Sequence, residues 1–357
     1  MPAPRPTVLI TGGAGFIGSN LVRQWLAEES DAVVTLDALT YAGLRESLGD
    51  ALAHPRHELV VGDIGDAPLV RELLAEHRPR AVLHLAAESH VDRSIVEPLG
   101  FVQTNVVGTA ALLEETTRWW RELPAESRDA FRFVHVSTDE VFGSAEAGRT
   151  FTVASPLAPN SPYAASKAAG EQLARAFAHT YGLPVVTLNP GNHYGPRQLP
   201  EKLIPKMILR ADAGEPLPLY GDGQHQRDWI HVDDGCRAIR AAAACGTPGE
   251  RYLIGSDNCY PNRAIVEQLC DEIDRQRDDG RRRRELIAAA ADRPGHDRRY
   301  ALDSAPAQRQ LNWRPQIELA AGLRDTVAWY LANGPWIAAA TQSLAARDAA
   351  GAAARPL

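Results

Sequence analysis

One segment, Thr11-Gly12-Gly13-Ala14-Gly15-Phe16-Ile17-Gly18, constrains this chain more than any other, because it joins an apolar run, Val8–Thr11, to an amphipathic stretch, Ser19–Glu28. A strand that turns through glycines into a helix uses Gly12 for the tight turn. Gly15 lets the backbone approach a pyrophosphate, and Gly18 lets helix and strand pack closely. The N–H groups of the first helical turn, from Phe16 and Ile17 onward, then face the anion. Asp37 ends the next apolar run, Val33–Asp37. That matches the ~20-residue spacing of the acid that binds an adenosine ribose. A carboxylate there accepts hydrogen bonds from a 2′-hydroxyl and repels a 2′-phosphate, so the expected cofactor is NAD rather than NADP.

Leu59–Gly62, Ala81–Leu85, Phe131–Ser137, Val185–Leu188 and Tyr252–Gly255 read as further strands. Pro68–His77, Asn262–Arg275 and Glu318–Leu331 read as helices. This alternation predicts an α/β fold, a Rossmann-type doubly wound parallel sheet. Ligands cross such sheets at the strand ends, which brings in Asp63 and Ile64 after one strand and Leu85, Ala86 and Ala87 after another. The chain has 357 residues, more than the ~250–300 at which a single core stops growing. A smaller, discontinuous C-terminal substrate-binding domain is therefore expected. The NAD-binding Rossmann domain covers 1–189, rejoined by about 230–255, and the substrate-binding domain covers 190–229 and 256–335. The alanine-rich tail, 336–357, is expected to fray beyond Ala345, and Arg281–Arg284 reads as a solvated helix start.

A net charge of -7 argues against a broad nucleic-acid footprint. Four cysteines, Cys236, Cys245, Cys259 and Cys270, include no Cys-x-x-Cys pair. No disulfide framework and no metal site are expected, and the pattern suits a reducing cytoplasm. No signal peptide and no apolar run long enough to span a bilayer is read.

The catalytic pattern starts at Ser161-Pro162-Tyr163-Ala164-Ala165-Ser166-Lys167. Ser161 suits an N-cap and Pro162 a first helical turn. Tyr163 and Lys167 then share a helix face. An ammonium beside the phenol is expected to lower its pKa and make Tyr163 a general base for a hydroxyl whose carbon loses hydride. The strand ending at Ser137 delivers Thr138, Asp139 and Glu140 to the same end of the sheet. Hydroxyl oxidation needs no acid pair, whereas elimination of water needs both a base and an acid.

With these motifs the chain resembles the extended short-chain dehydrogenase/reductase family, most closely its dTDP-glucose 4,6-dehydratase group. The resemblance is carried by Ala86–Ile95 (AAESHVDRSI), Ser137–Gly143 (STDEVFG), Pro200–Pro205 (PEKLIP), Arg227-Asp228-Trp229 and Asp292–Asp297 (DRPGHD). It implies that Tyr163 deprotonates a C4 hydroxyl as NAD takes hydride, with Thr138 bonded to the same oxygen. Glu140 then abstracts the C5 proton, Asp139 protonates the leaving C6 hydroxyl, and hydride returns to C6. The implied partner is a nucleoside-diphosphate sugar, held by Ser89, Thr138, Asn192, Lys202, Leu203, Arg227, Asn262, Arg293 and His296. A homodimer through Rossmann-domain helices is implied as well. The chain departs from the family's usual Ser-Asn-Asn-Tyr-Gly-Pro-Tyr. His193 stands where an asparagine would sit near the nicotinamide, and Arg197 replaces an aromatic. Phe142 replaces a tyrosine. These changes bear on the sugar and nucleotide rather than on the reaction type. The competing readings are a nucleotide-sugar 4-epimerase on the same scaffold and a non-catalytic NAD-binding protein.

Overall fold

The computed structural model describes residues 5–257 and 259–353. Its main sheet has seven strands: β1 (Thr7–Thr11), β2 (Ala32–Asp37), β3 (His57–Val61), β4 (Ala81–His84), β5 (Arg132–Val136), β6 (Val185–Pro190) and, later in the chain, Arg251–Ile254. Between the last two come β7 (Asn192–Tyr194), β8 (Leu217–Tyr220) and β9 (Gln226–His231), so Arg251–Ile254 is β10. The sheet order is β10-β6-β5-β4-β1-β2-β3, and every pairing is parallel. The order reverses between β1 and β4, and a crevice opens there beyond the strand ends.

Strand alternation explains why both faces are covered. Val8 and Ile10 of β1 pack with Leu21, Trp25 and Ile239 from helices Phe16–Glu28 and Val232–Cys245. Leu9, between them, packs with Val70, Leu112 and Ala174 from Ala67–His77, Thr109–Arg121 and Pro162–Tyr181. The predicted strand Phe131–Ser137 stops at Val136, which frees Ser137 onward to turn at the sheet edge.

A second apolar core lies in the C-terminal part. Helices Leu203–Ala213, Asn262–Arg277 and Leu319–Ala332 contribute Ile208, Ile265, Leu269 and Val327. A three-stranded sheet, β11 (Cys259–Pro261) with β9 and β7, links this core to the main sheet, and β12 (Ile287–Ala290) pairs with β8.

Two expectations fail. The tail does not fray at Ala345, because a helix runs Gly334–Ala353. Trp336 and Ala340 are buried in the second core. The Trp336 indole donates to Ser47 Oγ (3.1 Å) and the Ser343 hydroxyl to the Tyr41 carbonyl (2.9 Å). Residues 354–357, also part of that reading, lie outside the described residues. Arg281–Arg284 departs from a solvated helix start at one residue, since Arg281, Arg282 and Arg284 are exposed but Arg283 is not. Arg283 is 1% exposed and opens a short 3-10 turn. It binds the Ala211 carbonyl (3.0 Å), Asp274 (2.8 Å) and Asp279 (2.7 Å), because a buried guanidinium must find acceptors for its N–H groups.

Candidate active site

The crevice starts at the glycine turn. Gly12 has φ +71°, and a Cβ there would lie 2.7 Å from the Ala86 nitrogen. A Cβ on Gly18 would lie 2.1 Å from the Gly12 carbonyl oxygen. The helix Phe16–Glu28 has Gly15 at its N-cap, no side-chain cap and no acid in its first turn. Its leading N–H groups thus remain available to an anion. Asp37 accepts from the Ala14 and Leu39 amides, each at 2.8 Å. Burial raises its pKa and these two bonds pull it back. Both oxygens keep a free lone pair for ribose hydroxyls. Ile64, Leu85, Ala86 and Ala87 line the cleft as it continues, and Asp63 is tied into a local turn by accepting from Gly65 N (2.6 Å). These residues fit a dinucleotide.

Tyr163 and Lys167 line the other end of the same cleft. Ser161 caps their helix by accepting from Ala164 N at 3.1 Å. Lys167 is buried, and its Nζ donates to the Val136 carbonyl (2.8 Å). Burial lowers its pKa to about 8, against the opposing charge of Glu171. The expectation that this lysine lowers the phenol does not hold in the chain alone. The pKa of Tyr163 is raised, first by burial and next by the charge of Glu140, with the Thr138 hydroxyl pulling the other way. Desolvation of the phenolate outweighs any nearby charge here.

Beyond β5 the chain makes a 3-10 turn, Asp139–Phe142, capped by the Thr138 hydroxyl accepting from Glu140 N (3.3 Å). Asp139 is 1% exposed and its Oδ2 has no partner. Its pKa stands well above the usual carboxylate value, through burial first and the Glu140 charge second. Burial raises Glu140 as well, but Arg293, Arg227 and Lys202 all act to keep it ionised. The two acids are neighbours in sequence and differ in surroundings.

Those three cations are already engaged with the chain. Arg227 is buried, with its guanidinium 4.3 Å from the centre of the Tyr300 ring and donating to the Asp297 carbonyl (2.9 Å). Lys202 donates to the Ser89 carbonyl (2.7 Å) beside Leu203, the first residue of its helix. Arg293 pairs with Asp92 (2.9 Å), while its Nε has no partner. The buried side-chain oxygens of Asn192 and Asn262 are also unpartnered. His296 stacks on His225 at 3.7 Å and bonds Asp292 (2.6 Å), and burial lowers its pKa to about 4. The two rings are nearly parallel, 13° apart, so their in-plane nitrogen lone pairs do not converge on one metal position.

His193 is the exception among the expected cofactor contacts. It does not line the cleft. Its Nδ1 lies 3.2 Å from the Gly191 carbonyl, and its ring packs so close to Gly235 that a Cβ there would lie 1.8 Å away. Arg197 also turns away, donating to Asn20 (2.9 Å) with its guanidinium 5.6 Å from the Trp329 ring centre. His193 is buried against Gly235 of the helix Val232–Cys245, on the other side of the strand from Asn192. Sequence reasoning missed Tyr300 and Asp92, the partners of two site arginines. Asp92 sits inside one of the motifs and carried a signal, whereas Tyr300 carried none.

A parallel sheet with a dinucleotide crevice, a Tyr-x-x-x-Lys helix and an acid pair at one strand end defines a short-chain dehydrogenase/reductase of the sugar-nucleotide type. The family model described as GDP-mannose 4,6 dehydratase matches residues 9–326. A dTDP-glucose 4,6-dehydratase of Xanthomonas campestris pv. campestris is 53% identical over 333 residues, 93% of this chain and 95% of the relative. One from Escherichia coli K12 is 47% identical over 339 residues, covering 92% and 94%. The crystal structure of DesIV, a dTDP-glucose 4,6-dehydratase from Streptomyces venezuelae solved with NAD bound, superposes with a TM-score of 0.85 at 46% identity, covering 92% of this chain and 98% of that one. The chain belongs to the dTDP-glucose 4,6-dehydratase family.

Proposed function

We propose that this protein is an NAD-dependent hydro-lyase that converts dTDP-glucose to dTDP-4-keto-6-deoxyglucose and water. The carrying observation is the divergence of Asp139 and Glu140. Burial raises both carboxyls; the charge of Glu140 adds to the rise at Asp139, whereas Arg293, Arg227 and Lys202 pull Glu140 back toward its carboxylate. Both pKa values are raised, but only Asp139 well above the usual carboxylate range, and two adjacent carboxyls held to different degrees in their acid forms suit an acid and a base.

The residues divide the work as follows. Gly12, Gly15, Phe16, Ile17 and Gly18 take the pyrophosphate and Asp37 the ribose. NAD, when bound, supplies the hydride acceptor, the later donor and a positive ring charge that favours the Tyr163 phenolate. Tyr163 receives the C4 hydroxyl proton, with Lys167 behind it and the Thr138 hydroxyl on the same oxygen. The C4 ketone acidifies C5, Glu140 removes that proton, and Asp139 gives its own to the leaving C6 hydroxyl. Ser89, Asn192, Lys202, Leu203, Arg227, Asn262, Arg293 and His296 surround the nucleoside diphosphate, and Arg227 and Arg293 can fork onto phosphate oxygens. The cofactor is assigned to 1–189 with about 230–255, and the sugar nucleotide to 190–229 with 256–335.

The reading extends to a homodimer in the cytoplasm. Ile95, Val96, Leu99, Val102 and Val107 lie exposed on the consecutive helical segments Val91–Val96, Pro98–Val102 and Gln103–Gly108, Leu99 at 78% and Val96 at 61%, apolar surface that a second copy would cover. All four cysteines are free, as a reducing compartment would keep them. No helix of the described residues is long and apolar enough to cross a membrane.

The test follows the hydride. Substrate deuterated at C4 is expected to give a 4-keto-6-deoxy product carrying the label at C6, read by mass and NMR. Label retained at C4 with no loss of water would replace this reading with the epimerase.

A further inference from the structure

The catalytic helix carries a third polar group beneath Tyr163 and Lys167. Glu171 lies one turn beyond Lys167 on the same face and is 2% exposed. Its Oε2 accepts from Asn189 Nδ2 at 2.8 Å, and the same nitrogen donates to the Thr138 carbonyl at 3.0 Å. A carboxylate and a carbonyl are acceptors only, so only the NH₂ side of the amide satisfies both. The Asn189 Oδ1 is correspondingly left without a partner. At the far end Arg251, on edge strand β10, ion-pairs with Glu171. Its guanidinium lies 5.6 Å from the ring centre of Phe142, the last residue of the acid-pair turn. A buried chain of contacts thus runs from the sheet edge through Arg251, Glu171 and Asn189 to the backbone of Thr138.

We infer that Asn189 and Glu171 are positioning residues that set the Thr138-Asp139-Glu140 turn against Tyr163, an inference that rests on the dehydratase reading. Thr138 caps the turn with its hydroxyl, so a shift of its carbonyl carries the cap, the acid and the base together. Asn189 controls geometry alone. Glu171 controls geometry through its oxygen and, through its charge, supports the buried ammonium of Lys167. The two residues therefore separate position from charge.

The test uses the full-length holoenzyme with dTDP-glucose, comparing wild type with Asn189→Leu, Glu171→Leu and Glu171→Gln. Melting temperature and NAD content are measured beside kcat, KM and the fraction of bound NADH at steady state. Asn189→Leu and Glu171→Leu are expected to lower kcat ~10- to 100-fold, the scale of a small misplacement of catalytic groups. KM should stay within ~3-fold, since phosphate contacts lie elsewhere, and NADH should build up because elimination stalls. Glu171→Gln keeps one oxygen to accept from Asn189 while its NH₂ faces Arg251, so the wild-type partition should return in large part even where stability falls. Its alkaline limb should move to lower pH, because Lys167 loses a neighbouring negative charge. A wild-type partition in both leucine variants, or a Glu171→Gln variant as impaired as Glu171→Leu, overturns the inference. So does an Asn189→Leu defect that merely follows its melting temperature. If wild-type enzyme forms no 4-keto-6-deoxy product, the dehydratase reading falls and takes the inference with it.

Discussion

The two ends of the cleft treat buried polarity in opposite ways. At the adenosine end Asp37 is buried but has a backbone donor for each oxygen. At the catalytic end Asp139 is buried with one oxygen unpartnered and a second carboxylate beside it. At the first end the buried carboxylate is satisfied before any ligand arrives, and only the N–H groups of the helix start are left open to an anion. On the proposed reading the second end is the reacting one, and its Asp139 oxygen is left short of a partner that a substrate in its transition state could supply.

The largest expected effect that could break this contrast lies at the catalytic end. Glu140→Gln removes the base but not Tyr163, so hydride should still pass to NAD while water loss falls ~10²- to 10⁴-fold. Added substrate should then produce the absorbance of bound NADH, and a rate of dehydration near wild type would dissolve the contrast. A smaller effect is expected at the adenosine end. Burial raises the pKa of Asp37 as well, but two backbone donors pull it back, and Asp37→Asn turns one of their acceptors into a donor facing a backbone N–H, which should destabilise the fold by about 1–2 kcal/mol and weaken NAD, read by denaturant melts and cofactor titration. The smallest effect has the opposite sign. Asp139→Asn removes a charge that the fold disfavours, so stability at neutral pH should rise by about 1 kcal/mol. The sign follows from the raised pKa of Asp139. Its protonation supports the fold fully below the usual carboxylate range, and that support is lost as pH rises through the shifted value. The gain from Asn should therefore shrink as the solution is acidified. Equal signs for the two Asp→Asn variants would mean that the ends of the cleft do not differ in kind.

The contrast also separates what could be read in the sequence from what could not. The adenosine end was legible because its rules are local. Gly12, Gly18 and Asp37 sit at spacings imposed by one strand–helix–strand unit, and Ser161 caps a helix three residues away. The acid pair was legible for the same reason, as one strand end. Contacts between distant segments were not. Glu171 meets Arg251 from a strand some 80 residues later, and Arg283 looked like a surface charge until the helix carrying Ala211 was laid against it. The orientation of His193 depended on the pleat of a three-residue strand, too short for periodicity to reveal. The phenol of Tyr163 shows the limit of reading a motif by charge alone, because burial raises its pKa more than any neighbouring group shifts it.

The docked C-terminal helix also bears on how the protein is made. Ser343 bonds the carbonyl of Tyr41, 302 residues earlier, and Trp336 reaches Ser47 across 289. The loop that follows Asp37 thus leaves the ribosome about 300 residues before its cover. At ~5–20 residues per second the gap is about 15–60 s. Through that interval the nascent chain can pair β1 with β2, but Tyr41 and Leu44 wait for the core that buries them. Completion of the cofactor cleft is in this sense a late event, timed by translation as much as by folding.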